Sequence, residues 1–158
     1  MTCLAPFFTF YGGKWRAAPH YPAPAHDIIV EPFAGAAGYS VRHHARRVIL
    51  IERDPAIAAT WRYLLSVSPA EVLALPNLSP GQSVDDLAVS QEARWLIGWW
   101  CNGGSAQPKK TLGAWARRQR DFGGEGWTTG GGQLAWSRRV RERIAAQLPA
   151  IRYWTLIE

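Results

Sequence analysis

The stretch Asp27-Ile28-Ile29-Val30-Glu31-Pro32-Phe33-Ala34-Gly35-Ala36-Ala37-Gly38-Tyr39-Ser40 decides the fold of this chain. Its β-branched residues, followed by an acid and a proline, predict a short buried strand, and the small residues after them predict a tight strand-to-helix turn. Gly35 and Gly38 carry no Cβ, so a ligand can come close to the backbone there. The pattern indicates a ligand site in which Glu31 could accept hydrogen bonds from an ammonium group. The alternative is a turn with only a structural role.

A second strand and a second acid follow this turn. Val48-Ile49-Leu50-Ile51-Glu52 predicts a strand, and the segment 39–47 before it has a helical composition. Strand, glycine turn, helix, strand and acid form the first half of a Rossmann-like unit, so an α/β fold is expected. Glu52 lies 21 residues beyond Glu31, where an acid usually holds a ribose diol. A surface acid at a strand end is the alternative. Asp54 is predicted to cap the next helix.

The N-terminal segment contains a second glycine turn. Phe7-Phe8-Thr9-Phe10-Tyr11-Gly12-Gly13-Lys14 can wrap a small ligand with its backbone, while Lys14 offers a cation and Tyr11 a flat face. A plain turn is the alternative. Three prolines between positions 19 and 24 then predict an extended connector into the first strand.

The middle of the chain, 66–149, has the pattern of helices rather than strands. Ser68-Pro69-Ala70-Glu71 predicts a capping box, and a tryptophan-rich core helix should run from near Ser90 to Cys101. Apolar residues from Leu134 to Leu148 predict one face of a further helix. Its other face should carry four arginines, namely Arg138, Arg139, Arg141 and Arg143. Ile151 to Ile157 predicts a third strand.

Length and composition narrow the class of protein. A chain of 158 residues can bury one sizeable core, and 47% apolar against 19% charged residues is typical of a globular protein. Cys3 and Cys101 make neither a disulfide framework nor a zinc site, so no metal is expected. Without a signal-peptide pattern or an apolar run of ~18 residues, a cytoplasmic location without membrane contact is expected.

The positive charge is concentrated in the C-terminal half. Residues 1–93 hold seven Lys or Arg against eight Asp or Glu, whereas residues 94–158 hold eleven against four, a net charge of +7. Cations and tryptophans are interleaved over a glycine-rich stretch, 103–132, which is the composition of a flexible loop that contacts nucleic acid. A solvated surface is the alternative. The predicted DNA-binding residues are Lys109, Lys110, Arg117, Arg118, Arg120, Arg138 and Arg139.

Three motifs together resemble the Dam-type (D12 class) adenine-N6 DNA methyltransferases, especially phage and prophage members. They are Phe10-Tyr11-Gly12-Gly13-Lys14, Val30-Glu31-Pro32-Phe33-Ala34-Gly35 and Ile49-Leu50-Ile51-Glu52-Arg53-Asp54. Their order and spacing match the family, and the likeness spans nearly the whole chain. It implies a Rossmann-like enzyme that transfers a methyl group from S-adenosylmethionine to adenine at a specific site in double-stranded DNA.

The resemblance also implies roles and a layout. The cofactor-binding residues would be Tyr11, Gly12, Gly13, Lys14, Glu31, Phe33, Gly35 and Glu52. The first four would hold the methionine end of the cofactor, and Glu52 would hold the ribose. Residues 1–65 would form the N-terminal half of the core, 66–149 a basic insertion resembling a target-recognition region, and 150–158 a returning core strand. Ala36-Ala37 stands where the family often has glycine.

One family motif is absent from this sequence. The catalytic Asp-Pro-Pro-Tyr or Asn-Pro-Pro-Tyr has no counterpart, because Asp54-Pro55 is followed by Ala56 and no Pro-Pro occurs. In the family this motif follows the strand that resembles Ile151 to Ile157, and it holds the flipped adenine. We therefore expect a truncated form that binds S-adenosylmethionine weakly or not at all unless completed. No catalytic residue is assigned.

Two other classes of function compete with this interpretation. A non-catalytic nucleic-acid-binding protein on a decayed methyltransferase fold would keep the basic half and need no cofactor. A nicotinamide or flavin dinucleotide enzyme is the other, but the turn lacks Gly-x-Gly-x-x-Gly spacing and Glu31 would face the pyrophosphate. Binding of S-adenosylmethionine separates the first competitor from the methyltransferase.

Overall fold

The fold is built on a small parallel sheet. The computed structural model describes residues 4–44, 46–121 and 135–158, with only the backbone of 119–121. The described strands run in the order β1 (Ile28–Pro32), β2 (Arg47–Ile51) and β3 (Thr155–Ile157). Both pairings are parallel. The expected α/β class is confirmed at the level of a mixed chain with a three-stranded parallel sheet.

Helices connect these strands. The described helices are α1 (Gly38–Arg42), α2 (Pro55–Ser66), α3 (Pro69–Ala74), α4 (Gln91–Trp99), α5 (Ala114–Asp121) and α6 (Arg138–Gln147). Short 3-10 turns occur at Ala18–His20, Val84–Asp86 and Leu148–Ile151. Between positions 66 and 149, the described residues contain helices and no strand, as the sequence pattern predicts.

The predicted helix starts are confirmed by their caps. The Asp54 carboxylate accepts hydrogen bonds from the N–H groups of Ala56 and Ile57, at 2.9 and 3.1 Å, at the start of α2. Ser68 and Glu71 form the reciprocal capping box of α3. These contacts satisfy N–H groups that have no partner within the helix, which is why the signals are visible in the local sequence.

Among the described residues, one face of the sheet is covered by helices and the other carries partly exposed side chains. Side chains alternate between faces along a strand, so Ile29, Val48 and Leu50 point to the helices and are buried. The opposite face carries large apolar side chains that are exposed in the part of the chain that the structure describes. These are Ile28, Val30, Ile51 and Ile157. Parallel sheets are normally covered on both faces.

An aromatic cluster joins the N-terminal segment to α2 and α4. The ring of Trp61 lies 5.9 Å from Phe7, 5.5 Å from Phe8 and 5.8 Å from Trp154 between centroids. Phe8 also lies 5.4 Å from Trp99. The N-terminal aromatic run is therefore part of the hydrophobic core, and this packing fixes the position of the glycine turn that follows it.

Two predicted elements are shorter than expected. The helix expected over 39–47 ends at Arg42. His43 is its C-cap, and the N–H of His43 donates to the carbonyls of Tyr39 and Ser40. The strand expected from Ile151 begins at Thr155, since Ile151 belongs to a 3-10 turn and is fully buried there. In both places a local turn replaces the end of a regular element.

Candidate functional site

The turn after β1 has an unusual backbone. Phe33, Gly35 and Ala37 have φ values of 56°, 52° and 47°. This left-handed region favours glycine, and a bulky residue such as Phe33 is strained there. Phe33 is nevertheless 82% exposed, so its ring is not held by the core. An exposed aromatic ring on a strained turn at the carboxyl end of a parallel sheet is typical of a ligand site.

The N-terminal glycine turn packs directly on this turn. A Cβ on Gly35 would lie 3.2 Å from the ring of Phe10, and a Cβ on Gly38 would lie 2.2 Å from the backbone nitrogen of Trp15. Gly38 therefore allows a backbone approach that a side chain would block. The N–H of Tyr11 donates to the carbonyl of Ser105 at 3.2 Å, which ties the same segment to the loop after α4.

Glu52 lies at the centre of the site, but it already has partners. Its carboxylate accepts one hydrogen bond from the N–H of Gly35 and one from the N–H of Asp54, both at 2.9 Å. The residue is 6% exposed. Each oxygen keeps a further lone pair, so Glu52 can still accept a hydrogen bond from a ribose hydroxyl that reaches it. The structure thus adds a structural role that the sequence does not predict.

Trp61 holds the other side of the same peptide. Its indole N–H donates to the carbonyl of Gly35 at 2.6 Å, so Glu52 and Trp61 fix Gly35 from both ends. Sequence reasoning missed this role of Trp61, because its position in α2 signals only a core residue. The left-handed conformation of Gly35 is therefore maintained by two buried hydrogen bonds.

Glu31 faces the helix rather than an open cleft. Its carboxylate accepts hydrogen bonds from the backbone N–H of Ser40, at 3.2 Å, and from the Ser40 hydroxyl. Burial raises the pKa of Glu31, although the bonds from Ser40 oppose this shift. In this arrangement the side chain anchors α1 to β1.

The predicted cofactor residues of the N-terminal turn are exposed to solvent. Tyr11 is 75% exposed, and Gly12, Gly13 and Lys14 are exposed as well. Gly12 has a φ of 75°, and a Cβ there would meet no atom within 4 Å. The structure therefore brings the N-terminal turn to Gly35 through Phe10, which sequence reasoning did not single out as a site residue.

Six of the predicted DNA-binding residues are exposed. They are Lys109, Lys110, Arg117, Arg118, Arg138 and Arg139. Lys110 pairs with Asp85 at 2.6 Å, and Arg138 pairs with Glu142 at 2.8 Å. Both pairs are at the surface, where such pairs contribute little stability. The side chain of Arg120 lies outside the described residues.

Two expectations about this basic half are wrong. The stretch 103–132 is not a loop throughout, because its described part contains α5 with Arg117 and Arg118 on a helix, and 122–134 lies outside the described residues. The arginines of α6 do not share one solvent face either. Arg141 is 8% exposed and donates to the side-chain oxygen of Asn77 at 2.6 Å, and Arg143 is half-buried. Asn77, in the loop after α3, contacts Arg141, whereas Arg143 lies over the ring of Trp100.

Comparison with known proteins identifies no relative. No family model, no curated protein and no solved structure matches this chain. Among the described residues, no helix has both the length and the apolar character to cross a membrane. The same residues contain no group of three or more His, Cys, Asp or Glu side chains placed to hold a metal ion.

Proposed function

We propose that this chain is the S-adenosylmethionine-binding and DNA-recognising part of an adenine-N6 DNA methyltransferase. The observation that carries the proposal is the convergence of three sequence motifs on one peptide. Phe10 packs against Gly35, and Glu52 accepts a hydrogen bond from the N–H of Gly35. The convergence occurs at the carboxyl end of a parallel sheet, where α/β proteins bind ligands.

The residues at this turn suit the parts of the cofactor. The exposed turn from Tyr11 to Lys14 would hold the methionine end with backbone groups and a cation. Phe33 presents an apolar ring to solvent, and Glu52 has acceptor capacity left for the ribose. When bound, S-adenosylmethionine supplies an electrophilic methyl group for the N6 atom of adenine. The residues of this chain bind and orient it.

The exposed face of the sheet supports the inference that this chain is one part of such an enzyme. An exposed face with Ile28, Val30 and Ile157 would be covered if further α/β structure extended the sheet beyond β1. The same extension would close one side of the turn at Phe33. The sequence also lacks an Asp-Pro-Pro-Tyr motif to hold adenine. We therefore expect weak cofactor binding by this chain alone.

The cofactor can be tested by amide NMR, which detects weak binding. Titration of 15N-labelled protein with millimolar S-adenosylmethionine should shift the amide signals of Gly12, Gly13 and Gly35, because these amides line the proposed site. Gly81, in a loop of the helical region, serves as the control and should not shift. An unchanged spectrum at Gly12 and Gly35 would show that this chain by itself does not bind S-adenosylmethionine.

A non-catalytic nucleic-acid-binding protein is the second candidate function. The observation that favours it is the hydrogen bonding of Glu52, because each of its two oxygens already accepts a hydrogen bond from a backbone N–H group. Such an acid stabilises the turn without any ligand. Duplex binding together with an unshifted NMR spectrum would support this candidate over the methyltransferase.

The DNA assignment predicts a strong dependence on salt. If about five of the exposed cations contact phosphate, the slope of log affinity against log salt should be near −4 to −5. Replacing Arg117 and Arg118 by alanine should flatten this slope by up to about two units and weaken binding to any duplex sequence similarly. Fluorescence anisotropy at several salt concentrations measures both quantities.

The control for this prediction is a double alanine variant of Arg46 and Arg47, which are exposed in the near-neutral N-terminal half. It removes the same charge and should leave the slope within about half a unit of the parent's. Equal effects of the two double variants would mean that net charge, rather than the helix α5, controls binding. A slope near zero for the parent would reject the DNA interface.

A further inference from the structure

Arg143 is a half-buried arginine on α6. Its guanidinium carbon lies 5.0 Å from the centroid of the Trp100 ring, and its Nε atom is buried with no hydrogen-bond partner among the described residues. By contrast, Arg94 donates twice to the carbonyl of Leu87, at 3.2 and 2.9 Å. The hydrogen-bonding capacity of Arg143 is thus largely unused within the described chain.

Among the described residues, Arg143 also forms no ion pair with an acidic side chain. Burial and the neighbouring Arg139, one helical turn earlier on α6, lower the pKa of Arg143 to about 10. The guanidinium therefore remains charged at neutral pH, and no acidic side chain compensates it in the described chain. A partly desolvated, uncompensated cation destabilises the free protein. Such a cost is expected where the group serves a ligand.

We propose that Arg143, together with Arg139, forms a phosphate-binding site, and that its ligand is a backbone phosphate of DNA. Stacking on Trp100 orients the planar guanidinium. Because Nε is buried and the residue as a whole is only half-buried, the terminal nitrogens are the donors that an anion could reach. Guanidinium groups bind phosphate through two parallel hydrogen bonds, which a planar and pre-oriented fork favours. Arg139 is exposed on the same flank of α6 and adds a second positive charge. The DNA part of this inference rests on the proposed function.

A structural role and a ligand-binding role of Arg143 predict opposite changes in the midpoint of thermal unfolding when the residue is replaced. Arg143→Met keeps a long apolar stem on Trp100 and removes the unpaired charge, so the midpoint of thermal unfolding should rise by about 2–4 °C. Arg94→Met is the matched control, because it removes an arginine that donates hydrogen bonds to a backbone carbonyl. That variant should lower the midpoint and leave duplex binding unchanged.

Binding is tested with two probes. Inorganic phosphate at tens of millimolar should raise the unfolding midpoint of the parent protein but not that of Arg143→Met. Affinity for a labelled duplex should fall about tenfold in Arg143→Met, the value of one charge-assisted contact, and the salt slope should flatten by about one unit. Arg143→Lys keeps the charge but lacks the planar pair of guanidinium donors, so its duplex affinity should lie between those of the parent and Arg143→Met.

The outcomes separate this inference from the proposed function. A lower unfolding midpoint in Arg143→Met, or duplex and phosphate binding equal to the parent's, would overturn the phosphate site while leaving the DNA interface of α5 intact. A parent protein that binds no duplex would overturn the DNA part together with the proposed function. Stabilisation of that parent by phosphate, absent in Arg143→Met, would then still support the anion site.

Discussion

Replacing Trp61 by alanine should lower the free energy of unfolding by about 3–5 kcal/mol, the range found when a buried tryptophan is truncated. The side chain is fully buried and packs edge-on against Phe7 and Phe8. Truncation would leave a large cavity between α2 and the N-terminal segment. It would also leave the carbonyl of Gly35 without its indole donor. A loss of this size is a large share of the stability of a domain.

Urea unfolding of three variants tests this expectation. Trp61→Phe keeps much of the ring and removes the indole N–H, so it should lose less stability than Trp61→Ala. Tyr153→Ala removes an aromatic ring that is 86% exposed and should stay within about 0.5 kcal/mol of the parent. A Trp61→Ala protein within 1 kcal/mol of the parent would show that the aromatic cluster does not form as described.

Replacing Glu52 by glutamine should weaken both the fold and the proposed cofactor site. The N–H groups of Gly35 and Asp54 bond different oxygens of the Glu52 carboxylate. In glutamine one of these two positions is an NH2 group, which cannot accept a hydrogen bond. We expect a loss of about 1–3 kcal/mol in stability, because one buried N–H is left unpaired. In a binding-competent form of the protein, affinity for S-adenosylmethionine should fall about ten- to a hundredfold, since hydrogen bonds to a charged acceptor contribute roughly 1.5–3 kcal/mol.

The two effects are measured separately, by urea unfolding and by NMR titration below the unfolding transition. Glu71→Gln is the matched control, because it makes the same change in the exposed capping box of α3. It should cost at most about 1 kcal/mol and leave cofactor affinity unchanged. A Glu52→Gln protein with unchanged stability would contradict the hydrogen bonds of Glu52, and one with unchanged cofactor affinity would reject the ribose assignment.

The elements that the sequence predicts well are those with a local cause. The caps at Asp54 and Ser68 join residues two or three positions apart, so a short pattern contains the whole interaction. The strand at Ile28–Pro32 is signalled by β-branched residues and by the proline that follows them. The element ends at Arg42 and Thr155 were misplaced, because a turn of three or four residues competes with a regular element at little cost in energy.

The sequence by itself thus determined the α/β class, the glycine turns and the positions of the acids. Only the tertiary structure decided which partners these groups have. Gly35 is held by Glu52 from 17 residues away and by Trp61 from 26 residues away, and neither contact has a local signature. The burial of Arg141, and the buried Nε of Arg143 that has no hydrogen-bond partner among the described residues, likewise depend on what packs against α6. Hydrogen bonds and burial between distant segments are set by packing of the whole core, which local patterns do not encode.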